Sequence, residues 1–332
     1  MALRRTEMKM TVIGLVQALA AALFLAVGAQ QKNPELMRAE RSGAALRMVL
    51  RVLDDDKKPV PNAKVNVLMG MNFRERSYHI KGLTDAAGVF VVEGNTTGNE
   101  VEINVKKEGY YKSAKKLCLI KHGEEFEVKK GRWQPWGMEM PVSLRKIVDP
   151  IDHLVIEKKN YVIPATNAWF GFDMQIGDWV APHGKGKETD FSICLRWDGK
   201  PLYYSKCSEI DVRFDASKMA GFYAWTNVVG SIFVGVYHAD TNQQYAATTW
   251  LSTSLKNGEI SSAGFPEYGS LVTRSRCVFD ENRNLVGANY GIIKGILVEG
   301  GWDGKALMWI RYFFNPTPND TNLEPTMRSP SE

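Results

Sequence analysis

The chain has 332 residues, of which 44% are hydrophobic and 24% charged, and its formal net charge is +5. Those fractions are ordinary for a globular protein and exclude wholesale disorder, a collagen-like repeat and a coiled-coil rod. So mild a charge does not point to nucleic acid as a partner.

The opening MALRRTEMKM is cationic, and Thr11 to Ala29 is uncharged and apolar, ending on the small residues Val27-Gly28-Ala29. This is the pattern of a secretory signal peptide cleaved before Gln30, and an uncleaved membrane anchor is the alternative. Loss of Arg4, Arg5 and Lys9 against Glu7 would leave the remainder at +3. No cysteine precedes Cys118, so a lipid-accepting cysteine at the cleavage site is missing. The expected location is therefore secreted, periplasmic or at the cell surface, with no membrane contact after cleavage.

Residues 30–44 are polar and without sustained periodicity, which predicts a short lead-in. From Ala45 the period becomes two: Leu46, Met48 and Leu50 alternate with Arg47, Val49 and Arg51, and DDDKKPVPNA then supplies turn chemistry. Val65 and Val67 continue the alternation, and a further apolar segment runs through Tyr78, Ile80 and Leu83. Asp85 to Gly88 predicts a tight turn before Val89 to Val92, and Val101, Ile103 and Val105 form another strand. Short strands separated by turns, without a convincing helix, predict a β-sandwich.

Three runs in order, DDDKKPVPNAKVNV, KGLTDAAGVFVV and VEINVKKEGYYKS, resemble the carboxypeptidase regulatory-like domain, a transthyretin-like, starch-binding-domain-like β-sandwich. The resemblance covers about Ala45 to Lys146, ends with a strand at Pro141 to Ile147, and implies a Greek-key accessory module, residues 45–148, without catalytic residues. Pro59 and Pro61 disfavour ladder pairing, Gly88 permits a positive φ, and Phe90 and Tyr110 can fill an inter-sheet core.

Residues 149–315 hold Trp169, Trp179, Trp197, Trp225, Trp250, Trp302 and Trp309. Alternation persists through Phe191, Ile193 and Leu195, through Ile210, Val212 and Phe214, and through Leu307, Trp309 and Arg311. With frequent glycines between these runs, a second and larger β-sandwich or jelly-roll-like domain is predicted. The runs GFDMQIGDWVAPHGKGKETDF, FDENRNLVGANYGIIKG and YFFNPTPNDTNLEP resemble secreted proteins of unknown function from planctomycete and verrucomicrobial bacteria, which implies architecture without an activity. Residues 316–332 read as an irregular tail.

Hydrolase signatures are missing: there is no G-x-S-x-G elbow and no H-E-x-x-H. His79, His122, His153, His183 and His238 are scattered without acidic neighbours at ligand spacing, so they read as surface or core histidines, and no metal site or cofactor is expected. Pro182 to Lys187 superficially resembles a phosphate loop but lacks its spacing and its hydroxyl residue, and reads as a flexible surface loop.

Asp173 and Asp178 flank Gly177 and read first as caps of turn amides; calcium binding and paired-carboxylate glycoside chemistry are the alternatives. Asp54 to Asp56 read as a solvated charge run in a loop. Among the tryptophans most should be core, while Trp179, Trp197 and Trp302, beside Gly, Asp or Lys, are the candidates for exposed sugar-stacking contacts.

Cys194 and Cys207 lie on either side of the turn signal Asp198 to Pro201 and fall on one face by alternation. A loop centred between Lys200 and Pro201 would place them directly opposite, within disulfide reach; free thiols are the alternative. Together these readings predict an exported, non-catalytic accessory or binding protein, with a glycan or envelope component as partner. An unrecognised carbohydrate-active enzyme and a structural part of a surface assembly are the competing readings.

Overall fold

The computed structural model describes residues 33–70, 77–98, 100–120, 126–196, 207–226, 230–233, 235–256, 259–263, 269–300 and 305–326. The fold is all-β, with strands gathered around separate apolar cores in the first and second parts of the chain. In β1 (Ala44–Leu53) the two-residue period becomes a buried face of Leu46, Met48, Leu50 and Val52. Along one side of β1 runs antiparallel β4 (Val89–Thr96), and along the other parallel β9 (Met138–Ser143); β7 (Glu127–Lys129) and β8 (Arg132–Gln134) complete that sheet.

The facing sheet is ordered β3 (Tyr78–Leu83), β2 (Lys64–Met69), β5 (Val101–Lys106), β6 (Ser113–Leu117). Its Val65, Val67, Ile103 and Val105 pack on the β1 face, with Phe90 and Tyr110 at the margin. Fully buried Trp133 closes one end, its indole N–H donating to the Thr96 carbonyl at 3.0 Å. The 85–88 turn forms as its sequence predicts: Asp85 accepts from the Ala87 and Val89 amides, and Gly88 has φ +70°. A Cβ at Gly88 would lie 2.5 Å from the Val52 carbonyl, so both conformation and space demand glycine.

Several readings need correction. Within the polar lead-in, Pro34–Ser42 is a helix, α1. The Asn33 side chain caps the Glu35 amide at 3.0 Å, Pro34 suits the first turn, and Ala39 is buried against the first core. One buried alanine among charged neighbours leaves little periodicity to read. The Asp54 to Asp56 run is not simply solvated. Asp54 is buried, accepts the Asp56 and Lys58 amides at 2.9 Å each, and meets Lys146 Nζ at 3.0 Å. The closing strand ends at Ser143, short of Ile147.

In the second part, one sheet is ordered β10 (Leu154–Val162), β20 (Ala306–Phe314), β19 (Leu285–Gly300), β18 (Gly269–Phe279), β15 (Gly221–Thr226). The other is ordered β12 (Asp178–Trp179), β11 (Trp169–Asp173), β13 (Phe191–Arg196), β14 (Cys207–Arg213), β16 (Thr248–Lys256), β17 (Glu259–Ala263). Phe172, Phe191, Ile193, Leu195 and Val212 from the second sheet meet Met308, Ile310, Tyr312 and Phe314 from the first in one core.

The β13–β14 register separates the two cysteines. Cys194 lies opposite Asp211, which puts Cys207 four residues along the strand, about 13 Å away at the strand rise. That is beyond disulfide reach, and Cys194 is a buried free thiol. The expected register was displaced by two residues on each strand; alternation fixes a face but leaves such even shifts open.

The two parts join along a polar seam. Residues 230–232 extend the edge of β6: Ala114 N donates to the Gly230 carbonyl at 2.8 Å and Ile232 N to the Lys112 carbonyl at 3.0 Å. Arg145, 5% exposed, donates to the carbonyls of Phe233 and Gly235 and to Asp55, with its guanidinium carbon 4.3 Å from the Phe233 ring centre and 4.4 Å from that of Tyr237. The tail is irregular in backbone over its described residues 316–326, yet Asn322 to Pro325 are buried: Glu324 is 1% exposed and accepts from the Tyr111 hydroxyl, the Val148 amide and the Asp149 amide at 2.9, 2.9 and 2.7 Å. Burial first, then the Glu324 carboxylate, push the Tyr111 phenol well above its ordinary pKa.

Candidate functional site

The turn between β11 and β12 is organised by two carboxylates. Asp173 Oδ1 accepts the Gln175 and Ile176 amides at 3.0 Å each, and its Oδ2 accepts those of Lys187 and Glu188 at 2.8 and 3.2 Å. Asp178 accepts the amides of Trp179 and Lys185 at 2.9 and 3.0 Å. The Pro182 to Lys187 segment is therefore tied down, and three amides from Lys185 to Glu188 face the protein's own carboxylates. A Cβ at Gly186 would sit 2.7 Å from Asp173 Cβ and 2.9 Å from the Trp179 carbonyl, so the wrap requires glycine.

Beneath the turn lies a buried charge network. The β18–β19 register shifts between Ser275 and Val278, and Arg276 within that bulge has φ +51°. Its Nε and Nη2 donate to the two oxygens of Asp190 at 2.9 Å each, and Nη2 also reaches Asp173 Oδ1 at 2.7 Å. Asp190 further accepts from Ser275 Oγ at 2.6 Å and the Met174 amide at 2.7 Å. Burial would raise the Asp173 pKa, but the Lys187, Ile176 and Glu188 amides and Arg276 outweigh it and hold the carboxyl below its ordinary value. Burial likewise opposes the charge of Arg276, and Asp190, Asp173 and Glu188 outweigh it.

Above this network opens a cleft of about 720 Å³, lined by Lys187, Glu188, Thr189, Ser192, Arg213, Asp215, Lys218 and Arg276 around the rings of Phe191 and Phe214. Arg213 stacks on Trp169, its guanidinium carbon 4.0 Å from the ring centre, and Trp169 remains 40% exposed. Asp215, exposed, accepts within its own turn the Ser217 hydroxyl at 2.6 Å and the Ser217 amide at 3.1 Å; the hydroxyl is the main cause of its lowered pKa.

Of the residues singled out by sequence, Asp173, Asp178 and Trp179 do come together, but as framework. Trp179 is 3% exposed, packs at 5.5 Å from the Phe172 ring, and donates its indole N–H to the Val162 carbonyl at 2.9 Å. That corrects its reading as an exposed contact: beside Gly and Asp in sequence, it is turned inward by the β11–β12 pairing. Trp197 and Trp302 lie outside the described residues. Trp169, Arg213 and the cleft were missed, although Trp169 alternates with core residues Phe170 and Phe172 and so belongs to the outer face. Of the histidines, His153 bonds the Asn322 carbonyl at 2.8 Å, His183 packs edge-on to Phe170 at 4.9 Å, and His122 lies outside the described residues.

No family model matches the chain, and no curated protein matches it. Among solved structures, it is similar to 3-chlorocatechol 1,2-dioxygenase from Rhodococcus opacus 1CP at 13% identity and TM-score 0.24, covering 32% of this chain and 61% of that one. The chlorocatechol 1,2-dioxygenase of Pseudomonas putida aligns at 13% identity and TM-score 0.25, over 31% of this chain and 61% of that one. A point mutant of the Acinetobacter radioresistens catechol 1,2 dioxygenase gives 15% identity and TM-score 0.25, over 35% and 57%. The chain thus spans about three fifths of the length of these structures, and likenesses this slight assign it neither a fold family nor a chemistry.

Proposed function

We propose that this is an exported, non-catalytic binding protein, in which a carboxypeptidase regulatory-like sandwich carries a second β unit that binds glycan at the cleft beside Trp169. The observation that carries the reading is an open cleft of about 720 Å³ bordered, through Arg213, by an exposed tryptophan ring. An aromatic face with polar groups around it suits the C–H surface and hydroxyls of a sugar. The non-catalytic reading is supported by the state of the carboxylates. Glycoside hydrolysis needs one carboxyl free to donate a proton and another free to act on the sugar. Asp173 is held ionised on four amides and Arg276, and Asp178 is engaged by two amides.

Affinity electrophoresis against a panel of soluble polysaccharides, run beside an assay for released reducing ends and peptides, tests this. Saturable binding without turnover is expected, weakened on the order of tenfold, about 1.4 kcal/mol, by Trp169→Ala. Turnover by the wild-type protein, or binding indifferent to Trp169→Ala, would overturn the proposal.

A further inference from the structure

The polar groups of the cleft are unevenly committed, and this says what kind of ligand it accepts. Asp215 accepts the Ser217 hydroxyl and amide on Oδ1 and faces Lys218 Nζ at 3.7 Å through Oδ2, and Glu188 Oε2 faces Arg276 Nε at 3.7 Å. Arg276 itself is committed to Asp190 and Asp173. Other donors of the lining are open. Neither the Lys187 ammonium nor the Arg213 guanidinium meets a carboxylate among the described residues, and the Thr189 and Ser192 hydroxyls line the same space.

Arg213 is also fixed in place. Its strand is paired on both sides, with Ser192 on β13 and Thr248 on β16, and its guanidinium plane is supported by Trp169 at 4.0 Å. A stacked guanidinium keeps its in-plane N–H groups free, which is the geometry that receives an oxyanion in bidentate fashion. With Arg276 held by Asp190 and Asp173, the remaining cations Lys187, Arg213 and Lys218 outnumber the carboxylates Glu188 and Asp215 along this cleft, and a ligand that supplies acceptor oxygens and negative charge complements it.

We infer that the cleft binds an acidic sugar, through a carboxylate or sulfate held by Arg213 and Lys187 while the sugar ring lies along the Trp169 side. This rests on the cleft being the glycan site, and it adds the charge class of the glycan. The shared chemistry is a ring-borne oxyanion; a uronate and a sulfate ester are its two sources.

The test is isothermal titration of the full chain with oligogalacturonate, with sulfated dextran, and with neutral dextran and xylan oligosaccharides. Acidic sugars are expected to bind at least tenfold more tightly than neutral ones, with affinity falling as salt rises, and the stronger of the two acidic arms identifies the source. Arg213→Gln and Lys187→Gln should each remove most of that preference. Lys64→Gln with Lys81→Gln, which takes two charges from the remote β2–β3 hairpin, should leave it intact. Circular dichroism melting confirms that the variants fold.

Equal affinity for neutral and acidic sugars overturns the acidic assignment and leaves the glycan cleft standing. A preference lost equally in the Lys64/Lys81 variant overturns it too, as net-charge attraction. Binding of no sugar overturns both proposals.

Discussion

Replacing Arg276 by methionine removes a cation from between two carboxylates that are each about 1% exposed. Three charge-assisted bonds of 2.7 to 2.9 Å disappear: two to Asp190 and one to Asp173. Deleting one partner of a buried ion pair costs about 3–5 kcal/mol, chiefly because the other charge is left without compensation. The low end applies, since Asp173 retains four amides and Asp190 retains Ser275 Oγ and the Met174 amide. With a urea slope of about 2 kcal/mol per molar, a loss of about 3 kcal/mol lowers the midpoint by about 1.5 M.

Urea unfolding followed by tryptophan fluorescence reads this, because buried Trp179 belongs to the same unit. Arg276→Lys should fall between wild type and Arg276→Met, since an ammonium keeps the charge but not the fork. The pH dependence carries a definite sign. Asp173 titrates below its ordinary value in the folded protein, so its stabilisation is complete above the unfolded-state pKa of about 3.9 and is lost as pH falls through the folded one. Without Arg276 the Asp173 carboxylate takes up its proton sooner as pH falls, so the stability gap between wild type and variant narrows on acidification. A midpoint shift under about 0.3 M for Arg276→Met at neutral pH would refute the network's role.

Glu324→Ala leaves the Val148 and Asp149 amides without their acceptor and the Tyr111 hydroxyl with the Pro325 carbonyl at 3.3 Å; it should cost about 2 kcal/mol and speed limited proteolysis near Val148, read by mass spectrometry. His153 is held below its ordinary pKa by burial, so stability should decline as pH drops below about 6.5, by at most about 1.4 kcal/mol per pH unit from this group; His153→Gln should flatten that slope in urea titrations across pH 5 to 7. Non-reducing peptide mapping should find Cys194 unlinked to Cys207, and Cys194 should alkylate slowly until the protein is unfolded. Gly186→Ala drives a methyl into Asp173 Cβ and the Trp179 carbonyl and should lower the melting temperature by several degrees in calorimetry.

Much of this architecture can be read along the chain, because strand burial is written in a period of two: Leu46-Met48-Leu50 and Phe191-Ile193-Leu195 face the cores that their spacing implies. The 173–178 turn is equally local, set by carboxylates that reach their own neighbouring amides. The site is not local. Arg276 joins Asp173 and Asp190 from distant strands, and its aim depends on a bulge whose extra residue leaves no mark in composition. Trp179 looked exposed because its neighbours in sequence are turn residues, whereas its burial is decided by Tyr161 and Phe172 packed around it. Asp54 shows the same limit: a charge reads as solvated until the amides and cation that receive it are known.

The pairing of β10 with β20 sets an order of events for the nascent polypeptide. Leu154 meets Phe314 and Val162 meets Leu307, so the first strand of the second unit has no permanent neighbour on that side until nearly the whole unit has been synthesised. Such distant partners carry a large closure entropy and a slow, late nucleation step. The hairpins β13–β14 and β18–β19 join neighbours in sequence and are available earlier. Leu323 and Glu324 follow β20 in the chain and reach their buried places against the second unit and Tyr111 only once it has docked, so this part of the seam closes after the contacts that residues 230–233 and 235 make with β6 and Arg145 are already available.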